Sequence, residues 1–289
     1  MTPFAPNAER PFAIWDFHDP TWTRIRSKGD LPGDSALKEP PSKDVFVDEA
    51  LECVQEAAKE NIPLRLLGGI PIYVSSRGFD SLWSSLGREV FSDIDFMTHS
   101  RFASKIPGFF QRRGYSYAES PLGMVRKRLT FTDGAVPEVD VFFDRLEMCH
   151  SIDLRNRLEI DYPALPLADL LLQKLQIVQI NEKDIKDIIV LLRAHQFGEG
   201  DRDEINSKYI VGLLSGDWGF HHTATLNLDK VRRYLDGCEV VTDGDRNDVL
   251  SKIEALEAAL QASPKSARWK MRARIGTTMK WYQDVDEIR

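Results

Sequence analysis

Cysteine is scarce in this 289-residue chain. Cys53, Cys149 and Cys238 are three in number and far apart, which excludes a disulfide scaffold and a zinc knuckle. No apolar run approaches the ~20 residues that a membrane-spanning helix needs, so no membrane association is expected. The N-terminus places Glu9 and Arg10 early, unlike a secretory leader, and a cytoplasmic location is the expectation. Positive charge is also in deficit: 38 Lys and Arg against 45 Asp and Glu leave a net charge of −7. That balance argues against a protein that coats nucleic acid with its whole surface and leaves room for a local basic patch. Internal repeats and low-complexity tracts are absent.

What is present belongs to a folded chain, 42% hydrophobic and 29% charged. Residues 1–41 are rich in Pro, Asp and Trp without periodicity, and are expected to form an irregular N-terminal arm. From Val45 to Glu60 apolar positions recur at helical spacing, closed by Pro63. A short strand over 64–67 then feeds Gly68-Gly69 and a helix over 70–76. Strands are expected at 91–97, 115–118, 124–131 and 136–143, with a helix over 102–113. Beyond Pro163–Pro166 the pattern turns helical, with segments at 167–180, 182–195, 204–214, 229–235, 245–261 and 266–282. Strands first and helices later read as an α+β half followed by a helical C-terminal half. The boundaries fall at 42–162 and 163–289.

The densest chemical signal lies in Phe91-Ser92-Asp93-Ile94-Asp95-Phe96-Met97. On a strand Asp93 and Asp95 project from one face, about 7 Å apart, and like charges so placed call for a cation. Other Asp-x-Asp pairs, at 201/203, 243/245 and 284/286, lie in polar or terminal stretches; only this one sits in an apolar run preceded by paired glycines. The strand 136–143 carries Glu138 and Asp140 with equal parity and would add a third carboxylate. Three oxygen ligands with room for water and phosphate suit magnesium. Gly68 and Gly69 permit a tight turn and close approach to a phosphate, or serve as turn formers alone. Arg77 is within reach of a phosphate or is an ordinary surface arginine.

Lys174 falls on the apolar side of its helix, where an ammonium needs an anion, either phosphate or carboxylate. In the next helix Ile185, Ile188, Ile189 and Leu192 form the apolar stripe, with Asp184 and Asp187 at its edge. Asn181 is placed to cap that helix, and Asp184 suits its first turn. Lys265, Arg268, Lys270, Arg272, Arg274 and Lys280 interleave with Trp269, Trp281 and Tyr282 without an acid. Such a segment fits a nucleic-acid backbone with stacked bases, or a solvated helix face. His221-His222 lacks spaced partners for zinc, and Cys149-His150 would face opposite ways on a strand.

Gly68-Gly69, Asp93-Ile94-Asp95, the acidic strand, Lys174 and the segment Asn181-Glu182-Lys183-Asp184-Ile185-Lys186-Asp187 together resemble the DNA polymerase β-like nucleotidyltransferase superfamily. Within it the chain is most similar to AbiEii-type abortive-infection proteins, toxins of some toxin–antitoxin pairs. The resemblance covers about residues 64–195. It implies an α+β nucleotidyltransferase domain over 42–162, a mixed sheet with flanking helices, whose nucleotide site is completed by the helical domain 163–289. Asp93, Asp95 and Asp140 would be metal ligands and catalytic, with Glu138 as the alternative third acid and Asp184 a further catalytic acid. Gly68, Gly69, Arg77 and Lys174 would bind the nucleotide. The cofactor would be Mg2+ or Mn2+, two ions. The expected activity is metal-dependent transfer of a nucleoside monophosphate from a triphosphate to an acceptor hydroxyl on RNA, a tRNA-like molecule or a small compound. The 265–282 segment is the candidate RNA contact and an antitoxin a further implied partner. A catalytically degenerate nucleotide- or protein-binding module is the alternative. Ile70-Pro71 departs from the superfamily's small hydroxyl residue beside the glycines, and Asn181 stands where the toxin motif often has arginine.

Overall fold

Residues 41–88, 90–117 and 128–285 are described by the structure, a computed structural model. The expected arm over 1–41, apart from Pro41, residue 118 of one expected strand and residues 124–127 of another lie outside them. Helix α1 (Lys43–Lys59) leads to β1 (Arg65–Leu67), α2 (Gly69–Ser75), α3 (Asp80–Ser85) and β2 (Ile94–Thr98). A 3-10 turn (Ser100–Phe102), α4 (Ile106–Arg112), β3 (Ser116–Tyr117), β4 (Arg128–Thr132) and β5 (Glu138–Phe143) follow, then the hairpin β6 (Arg145–Glu147) and β7 (Ser151–Asp153). The remainder is α5 (Leu167–Leu175), α6 (Glu182–Ala194), a two-residue parallel pair β8 (Phe197–Gly198) and β9 (Ile205–Asn206), then α7 (Ser207–Gly216), α8 (Trp218–Gly237), α9 (Asp243–Ala262) and α10 (Ala267–Ile275). The chain is α+β, with a mixed sheet and a helical C-terminal half. Among the described residues no helix is long and apolar enough to cross a membrane.

The main sheet runs β1-β2-β5-β4-β3, with β2 and β5 parallel and every other neighbour antiparallel. Its two faces differ because strand side chains alternate. One face carries Leu66, Ile94, Phe96, Val139, Val141 and Phe131, packed on α1 and α4 through Phe46, Val54, Ile106 and Phe110. The other carries Met97 and Phe142, which join Leu170, Leu171, Ile188 and Ile189 of α5 and α6 in a second core. On that second face, beside apolar packing, register aligns Leu67, Asp95, Asp140 and Thr130 in one row across four strands. The candidate site is built outward from its polar members Asp95, Asp140 and Thr130.

Several boundaries depart from the sequence expectation for local reasons. The buried stripe of α1 runs through Phe46, Val47, Ala50, Cys53 and Val54, and Val45 points outward. The helix expected over 102–113 is split, with α4 starting at Ile106 because Pro107 is accommodated only in a first turn. Helix α5 stops at Leu175 rather than near Ile180. Its outgoing carbonyls are taken by α8, where Asn227 donates to Leu175 and Ile177 and Lys230 to Val178. Helix α8 starts eleven residues earlier than its expected boundary at Asp229, with Asp217 accepting from the Phe220 N–H as its cap. Helix α10 ends at Gly276, whose φ of 60° is open to glycine, and the expected continuation to Tyr282 becomes a strap. There Trp281 donates to Thr223 and the Gln283 N–H to the Cys149 carbonyl.

Candidate active site

Asp93 stands just before β2 and Asp95 within it; both line a cavity of about 300 Å³. Glu138 and Asp140 of β5 border the same space, and Gly68 and Gly69 lie at its edge. Lys174 of α5 and Asp184 of α6 close the opposite wall. Residues separated by about 120 positions in sequence thus share one hollow between the sheet and the two helices. Arg77, exposed in the turn after α2, is not among the lining residues.

The glycine pair has a steric cause. Gly68 has φ 81° and ψ −149°, a region costly for any other residue, and a Cβ there would lie 2.4 Å from Asp95 Oδ2. A Cβ on Gly69 would come within 2.7 Å of the Arg88 guanidinium and 3.3 Å of Asp187 Oδ2. The first glycine makes room for the metal-candidate carboxylate and the second for an ion pair beneath the turn. Gln173 fixes Gly68 from α5: its Oε1 accepts from the Gly68 N–H at 2.9 Å and its Nε2 donates to the Gly68 carbonyl at 3.1 Å.

Asp95 is half-buried among other acids. Burial first, then Asp93 and Asp140, push its pKa from 3.8 to about 8, against the opposing pull of Lys174 and Arg128. Glu138 is raised by burial, by Asp140 and by Asp93. Asp140 is also raised by burial, although Thr130 and Arg128 oppose it. Both Asp140 oxygens are held: Thr130 Oγ1 donates to Oδ1 at 2.6 Å and Arg128 to Oδ2 at 2.8 Å. Neither Asp93 nor Asp95 forms an ion pair with a described residue, Asp93 accepting only from Ser92 Oγ at 3.1 Å.

Lys174 meets carboxylates. Its Nζ lies 2.6 Å from Asp184 and 2.9 Å from Asp187, which raises the lysine pKa despite its burial. Asp187, with no exposed side-chain surface, also receives Arg88 at 2.8 Å. A buried acid shared by two cations is satisfied where a lone charge would be costly. Asn181 accepts from the Asp184 N–H at 3.1 Å and caps α6 as its sequence position suggested. Arg88, Gln173 and Thr130 carried no sequence signal, because each acts on a residue distant in the chain. Asp187 had one, an acid at the edge of the apolar stripe.

The donor set suits a hard divalent cation in part. Asp93 and Asp95 supply oxygens whose mutual repulsion an ion would relieve. The third acid is otherwise engaged, and among the described residues no three His, Cys, Asp or Glu side chains stand ready as a ligand cluster. His222 stacks on Trp218 and His221 lies edge-on to Trp269, consistent with aromatic packing. Cys149 and His150 occupy the β6–β7 turn, where His150 stacks on Phe220 and pairs with Thr223.

Of the 265–282 cations, Lys265 is spent on the Leu260 and Ser263 carbonyls and Ser215, and Arg272 on the Gly276 and Met279 carbonyls and the Trp218 ring. Lys280 pairs with Asp284. Arg268, Lys270 and Arg274 are exposed on α10.

No protein-family model and no curated protein matches this chain. Among solved structures it is similar to the antibiotic-resistance factor ANT(2'')-Ia at 12% identity, over 76% of this chain and 98% of that one, with a TM-score of 0.29. It is also similar to an antigenic nucleotidyltransferase-like protein from Paracoccidioides brasiliensis at 13% identity, over 80% and 98%, with a TM-score of 0.38. Likenesses at such scores establish neither activity nor substrate, and the functional reading rests on the cavity.

Proposed function

We propose that this protein transfers a nucleoside monophosphate from a nucleoside triphosphate to an acceptor hydroxyl. The observation that carries the reading is the meeting of Asp93, Asp95 and Asp140 in one cavity beside a glycine turn packed against Asp95. In the reaction the acceptor oxygen bonds to the α-phosphorus while the bond to the β-bridging oxygen breaks, and pyrophosphate leaves. Asp140 borders the space in which the acceptor hydroxyl would give up its proton.

Charge supports a divalent cofactor. Five carboxylates and four cations line the cavity, and Asp187 lies behind it. A triphosphate brings several negative charges of its own into this acid-lined space, and positive ions entering with it would offset them. Mg2+ or Mn2+, held by Asp93 and Asp95 with Asp140 shared by a second ion, would neutralise the phosphates and acidify the attacking hydroxyl. Lys174 borders the phosphate space while anchored by Asp184, so it offers a fixed positive charge rather than a mobile clamp. Arg77, expected to bind the nucleotide, is outside the residues that line the cavity.

RNA is the favoured acceptor class, because Arg268, Lys270 and Arg274 stand exposed on α10 without an ion-pair partner among the described residues. A toxin-like role with an antitoxin partner rests on the sequence resemblance. It is tested by growth arrest on expression that Asp93→Ala abolishes.

The direct test is incubation with labelled ATP, CTP, GTP or UTP, magnesium and total RNA or small hydroxyl compounds. Label transferred to acceptor with release of pyrophosphate, lost in Asp93→Ala, is the expected result. Nucleotide binding without turnover on any acceptor overturns it in favour of the catalytically degenerate binding module.

A further inference from the structure

Among the described residues, Asp140 is the one acid of the three whose two oxygens are both occupied by protein donors. The two donors are unlike. Thr130 lies directly opposite Asp140 in the β4–β5 register, so its hydroxyl is fixed by the sheet. Arg128 lies opposite Phe142, one pair along the same face, and reaches Asp140 diagonally with a long side chain that leans over the Phe142 ring. Its side chain keeps 34% of its surface exposed, while that of Asp140 keeps 4%. The guanidinium also borders the cavity. A fixed hydroxyl and a movable cation therefore hold the same carboxylate.

We propose that Arg128 is an exchangeable partner of Asp140: it occupies the Oδ2 position while the cavity is empty of nucleotide, and transfers to the phosphates when a divalent ion takes that oxygen. This rests on the nucleotidyltransferase reading and assigns within it a substrate-contacting residue that also sets when the third ligand becomes available. Three physical features support it. An arginine fork pairs with carboxylate and phosphate equally well, so the exchange conserves its hydrogen bonding. Ion and guanidinium compete for one oxygen, so neither is held at full strength until the phosphates arrive. Thr130 keeps its bond to Oδ1 throughout, so Asp140 retains its orientation while its other oxygen changes partner. Cation binding and nucleotide binding then become coupled through a single side chain.

The test reads affinities in place of turnover. Manganese binding to the full chain is measured by electron paramagnetic resonance, and binding of a non-hydrolysable nucleoside triphosphate by calorimetry, for wild type, Arg128→Gln, Arg128→Lys and Asp93→Ala. Arg128→Gln removes the competitor and the phosphate partner together. It is expected to bind manganese alone about tenfold more tightly and the manganese–triphosphate about tenfold more weakly, opposite signs that lost packing would not produce, and Arg128→Lys separates the exchange from the mere loss of a positive charge. Arg128→Lys, which keeps the charge without the fork, is expected between the two. Thermal melting of each variant establishes folding, and a misfolded Arg128→Gln passes the decision to Arg128→Lys.

The proposal is overturned if manganese affinity without nucleotide is unchanged or weaker in the folded variants, or if triphosphate affinity does not fall. If wild type binds manganese in a manner lost in Asp93→Ala yet the Arg128 variants show no opposed shifts, only the exchange fails. If wild type binds no manganese with or without triphosphate, the nucleotidyltransferase reading fails with it.

Discussion

Asp95 and Asp140 stand directly opposite each other on the parallel strands β2 and β5, two acids held side by side by backbone register alone. Burial, then Asp93, then this proximity lift Asp95 to about 8 from 3.8. The folded state then keeps a proton that the unfolded chain has already released. Its contribution to stability is fully present below about pH 4 and is lost as pH rises through about 8.

Asp95→Asn removes that dependence. In chelator, thermal melts of the wild type should decline as pH rises from 5 to 9, while the variant should decline less and melt several degrees higher at pH 9, each kcal/mol being about 2–4 °C in a domain of this size. Magnesium should raise the wild-type midpoint more at pH 8 than at pH 6, because the ion requires the ionised form. It should leave the variant nearly unmoved.

Replacement of Gly68 by alanine forces a Cβ into a strained backbone region and against the Asp95 carboxylate. A stability loss of about 1–3 kcal/mol is expected from the backbone alone. Manganese affinity should fall as well, since relief of the clash must displace Asp95. Gly212→Ala, where a Cβ meets nothing within 4 Å, is the control and should leave manganese binding intact.

The buried group Lys174–Asp187–Arg88 predicts unequal costs for its members. Asp187→Asn leaves two buried cations short of their shared acid and should cost about 3–5 kcal/mol in denaturant unfolding. Lys174→Met should cost less, because Asp187 keeps Arg88 and Asp184 lies at the cavity wall. Equal losses would mean that Asp187 does not depend on its double pairing.

On α10 the exposed and engaged cations should separate. Alanine at Arg268, Lys270 and Arg274 together should weaken RNA binding and reduce the magnitude of the salt slope by about one per lost phosphate contact, with little effect on melting. Arg272→Ala removes bonds to the Gly276 and Met279 carbonyls and the stacking on Trp218, and should lower the melting midpoint. RNA binding unchanged in the triple variant would exclude this face as the acceptor contact.

Strand and helix types were legible in this chain wherever one apolar period dominated. The row Val139-Val141 against Glu138-Asp140 announces a two-faced strand, and Asn181 announces the start of α6, since alternation and capping are local properties of adjacent residues. Ends set by distant partners were not legible. Helix α5 stops where Asn227 of α8 takes the Leu175 carbonyl and Lys230 that of Val178 just beyond it, and Lys174 is paired by acids ten and thirteen residues onward. Sequence by itself determined which residues carry charge and which faces they share: Asp93 with Asp95, Glu138 with Asp140, and a lysine on an apolar helix side. Only tertiary structure decided that Asp95 lies opposite Asp140, that Gly68 leaves room for Asp95, and that Arg128 holds the third acid. Register and ion pairing depend on distances between segments far apart in the chain, and no periodicity within a segment encodes those distances.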